Sequence, residues 1–357
     1  MTEYKSKAIL KPSLHYKPSH EIMPTPRKKI GLIILGGTVL SEESSGKNAV
    51  ISKNDIKPWL SNMPEINIMA DIEPVFILGE KDKEPNLIHW KKMGEIIADK
   101  IDEFDGFVVT HHVHSLLQAS CALSFMLQNL SKPVVFTGSQ IPLTISKVKT
   151  SKKILKKYKG LGIKANLINA LQIAIQGPSE VSIMFGNKLV RANQAHITKS
   201  LSLNLFNAPS KATLATIDFG IKISESARQE NKGTFKLEAL FNDNVSVANF
   251  YTDQNAEFLK WVFSKKPSGV IIQSHDIDST IELLNKSFPK YSNIPILIHT
   301  ESHLSPNTTK QITVISNMTF EATVMKFKWA LGQTKDKKQI AKLMKENAAL
   351  EIIEEGE

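Results

Sequence analysis

Short apolar runs alternate along this chain with longer stretches in which apolar residues recur at helical spacing. Residues 107–109 form one such run, and its lack of alternation is typical of a strand buried on both faces of a parallel sheet. Helical spacing follows from residue 116 to residue 127. The pattern predicts a strand, a polar turn and a helix, and in an open α/β sheet such a turn lies where ligands bind.

The same alternation predicts the other elements. In the first half, strands are expected at residues 28–40, 133–139 and 181–185, and helices at 90–101 and 165–175. In the second half, strands are expected at 245–250, 269–273 and 294–299, and helices at 256–264, 279–288, 320–331 and 337–347. Strands that alternate with helices predict βαβ units and a mainly parallel sheet.

Composition divides the chain into segments. Residues 1–29 contain four prolines and scattered lysines without periodicity, and we expect them to form a flexible basic tail. A polar break at 225–233 suggests a joint between two α/β patterns. We therefore predict a larger N-terminal domain at 30–207, a connecting segment at 208–244 and a smaller C-terminal domain at 245–357.

The net charge of +10 is concentrated in two places. Residues 1–29 hold seven Lys and Arg against two Glu, and residues 145–164 hold eight lysines and no acid. The rest of the chain is not basic, which argues against nucleic acid binding across the main fold. The partly helical spacing of residues 145–164 predicts a basic amphipathic segment that could bind an anionic partner or a membrane surface. A solvated loop is the alternative.

No cofactor is predicted, and the single cysteine, Cys121, excludes an intramolecular disulfide framework. The chain has no apolar run long enough to span a bilayer, and its N-terminus lacks the apolar region of a secretory signal. These features favour a cytoplasmic location, and leave open secretion by a non-classical route.

Two stretches carry candidate chemistry. Gly36 and Gly37 permit a tight turn, after which Thr38 presents a hydroxyl group at the end of the first strand; a plain turn is the alternative. The turn after residue 109 contains His111, His112 and His114, three histidines in four residues.

Several motifs together resemble the bacterial-type L-asparaginase family, most closely its cytoplasmic, type I-like branch. They extend from residue 29 to the C-terminus, and are found at residues 36–38, 105–111, 122–127, 132–142, 166–171, 318–323 and 329–332. The resemblance implies two α/β domains: a larger N-terminal one with a mainly parallel sheet, and a smaller, flavodoxin-like C-terminal one. It also implies a dimer or tetramer, and hydrolysis of the side-chain amide of asparagine.

The resemblance further implies five parts of a catalytic and substrate-binding site. The nucleophilic threonine after Gly37 is matched by Thr38, but the loop tyrosine falls near Lys47, and the serine that holds the substrate carboxylate falls near Asp82. The motif His-Gly-Thr-Asp-Thr becomes His111-His112-Val113-His114-Ser115, and the family's lysine falls on Ile197, with Lys199 two residues away. Four of the five parts are therefore substituted.

Valine cannot exchange a proton, and histidine cannot supply the negative charge that pairs with a substrate ammonium group. Because parts that act as a unit fail together, we expect a pseudoenzyme that acts by binding or regulation. Its binding residues would include Gly37, His112, Ser115 and His196.

Two alternative hypotheses give this site a chemical role, as a hydrolase or as a metal site. In one, the chain is an active hydrolase of an amide or ester, in which His114 serves as general base toward Thr38. In the other, His112, His114 and His196 bind a metal such as zinc. Alternation along a strand would place His112 and His114 on one side, which favours both alternatives.

Overall fold

The computed structural model describes residues 26–35, 54, 56–61, 63–77, 85–138, 163–198, 204–228, 231, 233–251, 256–287, 293–301 and 312–354. The predicted tail up to residue 25, and residues 145–162 of the lysine-rich segment, lie outside this part of the chain.

The described residues form an α/β fold. Its strands, in chain order, are β1 (Lys29–Leu35), β2 (Asp71–Ile77), β3 (Gly106–Thr110), β4 (Leu127–Gln128), β5 (Val134–Thr137), β6 (Val181–Phe185), β7 (Lys188–Arg191), β8 (His196–Ile197), β9 (Phe206–Asn207), β10 (Thr213–Ile217), β11 (Ile221–Ile223), β12 (Lys236–Leu237), β13 (Val245–Asn249), β14 (Gly269–Gln273), β15 (Ile296–His299) and β16 (Ile312–Ile315). Its helices are α1 (Ile56–Ser61), α2 (Pro64–Met69), α3 (Leu87–Asp99), α4 (Val113–Met126), α5 (Ile163–Gln176), α6 (Ala256–Ser264), α7 (Ile277–Ser287), α8 (Phe320–Gln333) and α9 (Lys337–Lys345).

The larger sheet has eight strands in the order β11-β10-β7-β6-β5-β3-β1-β2. Strands β2, β1, β3, β5 and β6 are parallel, and the three remaining strands add antiparallel pairs at one side. Strand β1 lies between β2 and β3, so the strand order reverses at β1. In an open α/β sheet such a reversal leaves a crevice at the carboxyl ends of the strands on either side of it.

The smaller sheet has four parallel strands in the order of the chain, β13-β14-β15-β16. It therefore has no reversal of this kind. The predicted α/β fold class, with a mainly parallel sheet in the larger part, is confirmed.

Helix α4 is buried almost all round, because it packs between the large sheet and α8. The rings of Phe125 and Trp329 stack across the contact between the two helices, with centroids 6.0 Å apart. The same apolar core includes Ile271 and Leu297 of the small sheet, so one core runs through both parts of the fold. The helix can bury Ser120 and Ser124 because each hydroxyl donates to a backbone carbonyl within α4.

The structure differs from the predictions where tertiary contacts override the local pattern. Strand β2 was not predicted, because it is a mostly half-exposed edge strand that contains Pro74 and Glu73. Part of the predicted connecting segment at 208–244 forms the hairpin of β10 and β11, which extends the large sheet. Among the described residues no helix is long and apolar enough to cross a membrane.

Candidate functional site

The crevice of the large sheet lies between the ends of β1 and β3. These strands are paired in parallel, with Ile34 opposite Thr110, so the chain leaves β1 at Leu35 beside the point where it leaves β3. Gly36, Gly37 and Thr38 follow Leu35 in the sequence but lie outside the described residues. The sheet topology therefore brings the end of β1, the last described residue before Gly36, to the same edge of the sheet as the turn that contains the histidines.

The polar turn after β3 is shorter than predicted, because α4 begins at Val113 rather than near residue 116. His112 is the N-cap residue, with φ −64° and ψ 131°, and its side chain does not cap the helix. Val113, His114 and Ser115 form the first turn of the helix. The expected strand alternation is wrong, because β3 ends at Thr110 and His114 lies in the first turn of α4.

His111 is a core residue rather than part of an open pocket. Its side chain is 1% exposed and packs against Phe136, with ring centroids 6.1 Å apart. Nδ1 lies 2.9 Å from the carbonyl oxygen of His112, which can only accept, so Nδ1 carries the proton and Nε2 is a bare acceptor. Burial lowers the pKa of His111 to about 3, which keeps the ring neutral.

The backbone at His111 is held by the neighbouring strand. Its amide donates to the carbonyl of Thr137 at 2.9 Å, and its own carbonyl oxygen would lie 2.5 Å from a Cβ atom at Gly138. Glycine is therefore needed at position 138 to let the ends of β3 and β5 approach each other.

Three buried polar atoms at this end of β3 have no hydrogen-bond partner within the described part of the chain. They are Thr110 Oγ1, His111 Nε2 and Ser115 Oγ. Thr110 was not among the predicted site residues, although a polar residue that ends an apolar strand was a usable signal. Unpaired buried polar atoms are rare in native proteins, and their grouping marks this end of β3 as unusual.

The residues at the entrance of the turn carry no negative charge. His114 is exposed and Val113 is half-buried, and the first turn of α4 contains no acidic residue. The first amides of any helix lack acceptors within the helix and carry a partial positive charge. This end of α4 therefore offers hydrogen-bond donors and imidazole, without a carboxylate that could pair with an ammonium group.

His196 and Ile197 form β8, which is exposed and pairs with β9. They follow a 3₁₀ helix, Ala192–Gln194, that packs on α4, where Cys121 Sγ lies 3.5 Å from the carbonyl oxygen of Ala192. Lys199 lies outside the described residues. In the described ranges no three His, Cys, Asp or Glu side chains are grouped so that they could hold a metal ion, so His112, His114 and His196 form no such group there.

Comparison with known proteins identifies the family. Residues 29–229 match the family model described as Asparaginase, N-terminal, and the chain belongs to the asparaginase family. L-asparaginase 1 of Escherichia coli K12 is 26% identical over 350 residues, which cover 91% of this chain and 98% of that protein. A glutamyl-tRNA(Gln) amidotransferase subunit of Thermofilum pendens is 24% identical over 369 residues, which cover 95% of this chain and 78% of that protein.

Solved structures agree on the fold. L-asparaginase I from Vibrio cholerae superposes with a TM-score of 0.73 at 22% identity, covering 92% of this chain and all of that one. The L-asparaginase of Thermococcus kodakarensis gives a TM-score of 0.71 at 24% identity, covering 91% of this chain and 99% of that one. The predicted resemblance to the asparaginase family is confirmed.

Proposed function

We propose that this chain is an asparaginase-family protein with little or no L-asparagine amidohydrolase activity, and that it acts by binding or regulation. One observation carries the proposal. The first turn of α4, at the crevice of the large sheet, presents Val113 and His114. These are the positions to which the resemblance assigns a threonine and an aspartate.

The physical reason lies in the chemistry of these two side chains. An amide hydrolase that works through a threonine needs a partner group to move a proton, and the valine side chain has no atom that can do so. An amino-acid substrate carries an ammonium group, and the imidazole of His114 is either neutral or positively charged beside it. Substrate binding and proton transfer are therefore both weakened.

The test is ammonia release from asparagine and from glutamine by the purified chain, compared with Thr38→Ala. We expect no release above the Thr38→Ala background. A robust release that Thr38→Ala abolishes would contradict the proposal, and would favour the active hydrolase in which a histidine assists Thr38.

A second arm restores the family residues with Val113→Thr and His114→Asp together. Ile197 still occupies the family's lysine position, so we expect tighter binding of asparagine in calorimetry and little gain in ammonia release. The matched control is His275→Asp, which replaces an exposed histidine shortly before α7, in the part of the fold built on the small sheet. Binding that improves equally in the control would exclude a specific role for His114.

The proposal includes partners. We expect a homo-oligomer, a dimer or tetramer, and an anionic partner or membrane surface at residues 145–164. In the described part of that segment, Lys164 pairs with Glu65 of α2 at 2.6 Å, which lowers the pKa of that carboxyl group. Co-sedimentation with anionic vesicles would test the segment, and absence of binding at low salt would count against the membrane surface.

The domain boundaries and the cytoplasmic location stay predictions.

A further inference from the structure

Helix α6 of the small sheet has one buried face and one aromatic exposed face. Leu259, Val262 and Phe263 lie in the core under the sheet. Phe258, beside this buried face, is 40% exposed, and Trp261, on the far side of the helix, is 58% exposed. Single exposed apolar residues are normal on a protein surface, but two adjacent large aromatic side chains on a short helix form a patch.

The patch is ordered within the chain. The rings of Phe258 and Trp261 stack, with centroids 6.3 Å apart and planes inclined by 21°. The ammonium group of Lys265 lies 5.1 Å from the centre of the Trp261 ring. Glu257 lies one turn before Trp261 and pairs with Lys260. We name Glu257, Phe258, Trp261 and Lys265 the α6 face.

The α6 face lies at the edge of the small sheet. Helix α6 connects β13 to β14, and β13 is the edge strand on that side. Val247 of β13 and Tyr251 just after it are also exposed, at 44% and 66%. No strand of the described residues pairs with the outer side of β13.

The charges of the α6 face are arranged symmetrically about Trp261. Glu257 precedes Trp261 by four residues, about 6 Å along the helix axis, and Lys265 follows Trp261 by four as the first residue after α6. If two copies pack α6 antiparallel about a two-fold axis at Trp261, Glu257 of each copy faces Lys265 of the other. A carboxylate accepts several hydrogen bonds, so Glu257 can keep Lys260 and gain Lys265 of the second copy.

We propose that the α6 face is a contact between two copies of this chain. The two tryptophan rings meet at the centre and cover each other, and two Glu–Lys pairs close the ends. This inference rests on the homo-oligomer of the proposed function, and gives it a surface. A nine-residue helix is about 14 Å long, so the contact is smaller than a standard interface and the association is concentration-dependent.

The test exploits the symmetry by exchanging charges. Glu257→Lys places two lysines opposite each other at both ends of the contact, and Lys265→Glu does the same with two glutamates. Each single variant is expected to weaken association about tenfold, because both symmetric pairs change from attraction to repulsion. The double variant Glu257→Lys/Lys265→Glu restores opposite charges at both ends, so its association is expected to return to about that of the wild type.

Analytical ultracentrifugation of the full chain over a concentration series measures the effect. Low salt is used because exposed charge pairs are screened at high ionic strength. Matched controls come from Lys92 and Glu95, an exposed ion pair on α3 at 3.3 Å. Lys92→Glu and Glu95→Lys make the same changes in net charge away from the α6 face, and are expected to leave association unchanged.

The possible outcomes distinguish the proposals. Weaker association in both single variants with recovery in the double variant supports the α6 face as the contact. Association that is unchanged in the single variants, or that stays weak in the double variant, contradicts the α6 face as the contact but leaves the proposed homo-oligomer standing. A wild-type chain that remains monomeric at every concentration overturns both.

Discussion

Each of the two sheets has a histidine at a strand end, and the two histidines have similar burial and hydrogen bonding. His111 follows β3 of the large sheet and His299 ends β15 of the small sheet. Each is buried, donates one ring N–H to a backbone carbonyl at 2.9 and 3.0 Å respectively, and leaves its other ring nitrogen unpaired within the described residues. Each packs against a phenylalanine ring, Phe136 and Phe320 respectively.

The difference between the two places lies in their surroundings. His111 stands where the strand order reverses, beside the exit of β1, and α4 begins two residues later. Strand β15 belongs to a sheet that follows the order of the chain, and α8 begins only at Phe320. A buried histidine at a strand end is therefore a packing feature in this protein, and the crevice with the exposed His114 distinguishes the candidate site.

The largest expected effects on the free energy of unfolding come from breaking the buried ion pairs, one in each part of the fold. Lys326 of α8 pairs with Glu351, and both side chains are fully buried, whereas Arg191 and Glu180 of the large sheet are 8% and 7% exposed. Glu351→Gln is expected to reduce the free energy of unfolding by about 3–5 kcal/mol, because it leaves the buried ammonium of Lys326 without its carboxylate. Glu180→Gln is expected to cost less.

Urea unfolding of both variants measures this difference. Both cations keep two backbone carbonyl acceptors, those of Met344 and Glu346 for Lys326 and those of Ser226 and Lys211 for Arg191. The smaller loss expected for Glu180→Gln therefore rests on the residual exposure of the Arg191 side chain. Equal losses in the two variants would mean that the residual exposure of Arg191 does not matter.

A second comparison concerns the glycine at the start of a central strand in each sheet. A Cβ atom at Gly106 would lie 2.2 Å from the backbone oxygen of Ala174, whereas at Gly269 it would lie 2.6 Å from the ring of Phe327. Gly106→Ala is expected to reduce the free energy of unfolding by about 3 kcal/mol or more, because the new methyl group meets the backbone of α5 and the helix itself must shift. Gly269→Ala is expected to cost about 1–2 kcal/mol, because side chains can adjust. Thermal unfolding that ranks the two variants in the opposite order would refute this account.

A third comparison concerns a pH dependence of stability that differs between the two histidines. Burial lowers the pKa of His111 to about 3 in the folded state, against 6.5 when exposed. As the pH falls from 6.5 toward 3, His111 binds a proton in the unfolded chain but stays neutral in the folded chain. The stability that this residue allows above pH 6.5 is therefore lost progressively over that range. The slope contributed by His111 reaches about 1.4 kcal/mol per pH unit at most.

Burial also lowers the pKa of His299, but Glu301 and Glu321 favour its protonated form, so its contribution has the same sign and is smaller. His111→Gln should therefore flatten the dependence of unfolding free energy on pH between 6.5 and 4 more than His299→Gln does. Urea unfolding at several pH values provides the measurement. A steeper flattening by His299→Gln would reverse the comparison.

Much of the fold could be predicted from the sequence because it depends on local patterns. Strands β6 and β14 and helix α6 have the predicted bounds, because a short apolar run between turn residues is typical of a buried strand and helical spacing of apolar residues is typical of a helix. The family could also be recognised, because its motifs are spread along the chain. The substitutions at residues 113 and 114 are visible in the sequence without any structure.

The tertiary structure alone decided which side chains are buried and what they contact. His111 and His114 are three residues apart, yet one is a neutral core residue and the other is exposed, because α4 begins between them and packs against the sheet and α8. Glu351 lies 25 residues from Lys326, and Asn193 donates to the carbonyl of Ala349, 156 residues away. Such contacts depend on how separate elements pack together, and no local pattern of residues encodes them.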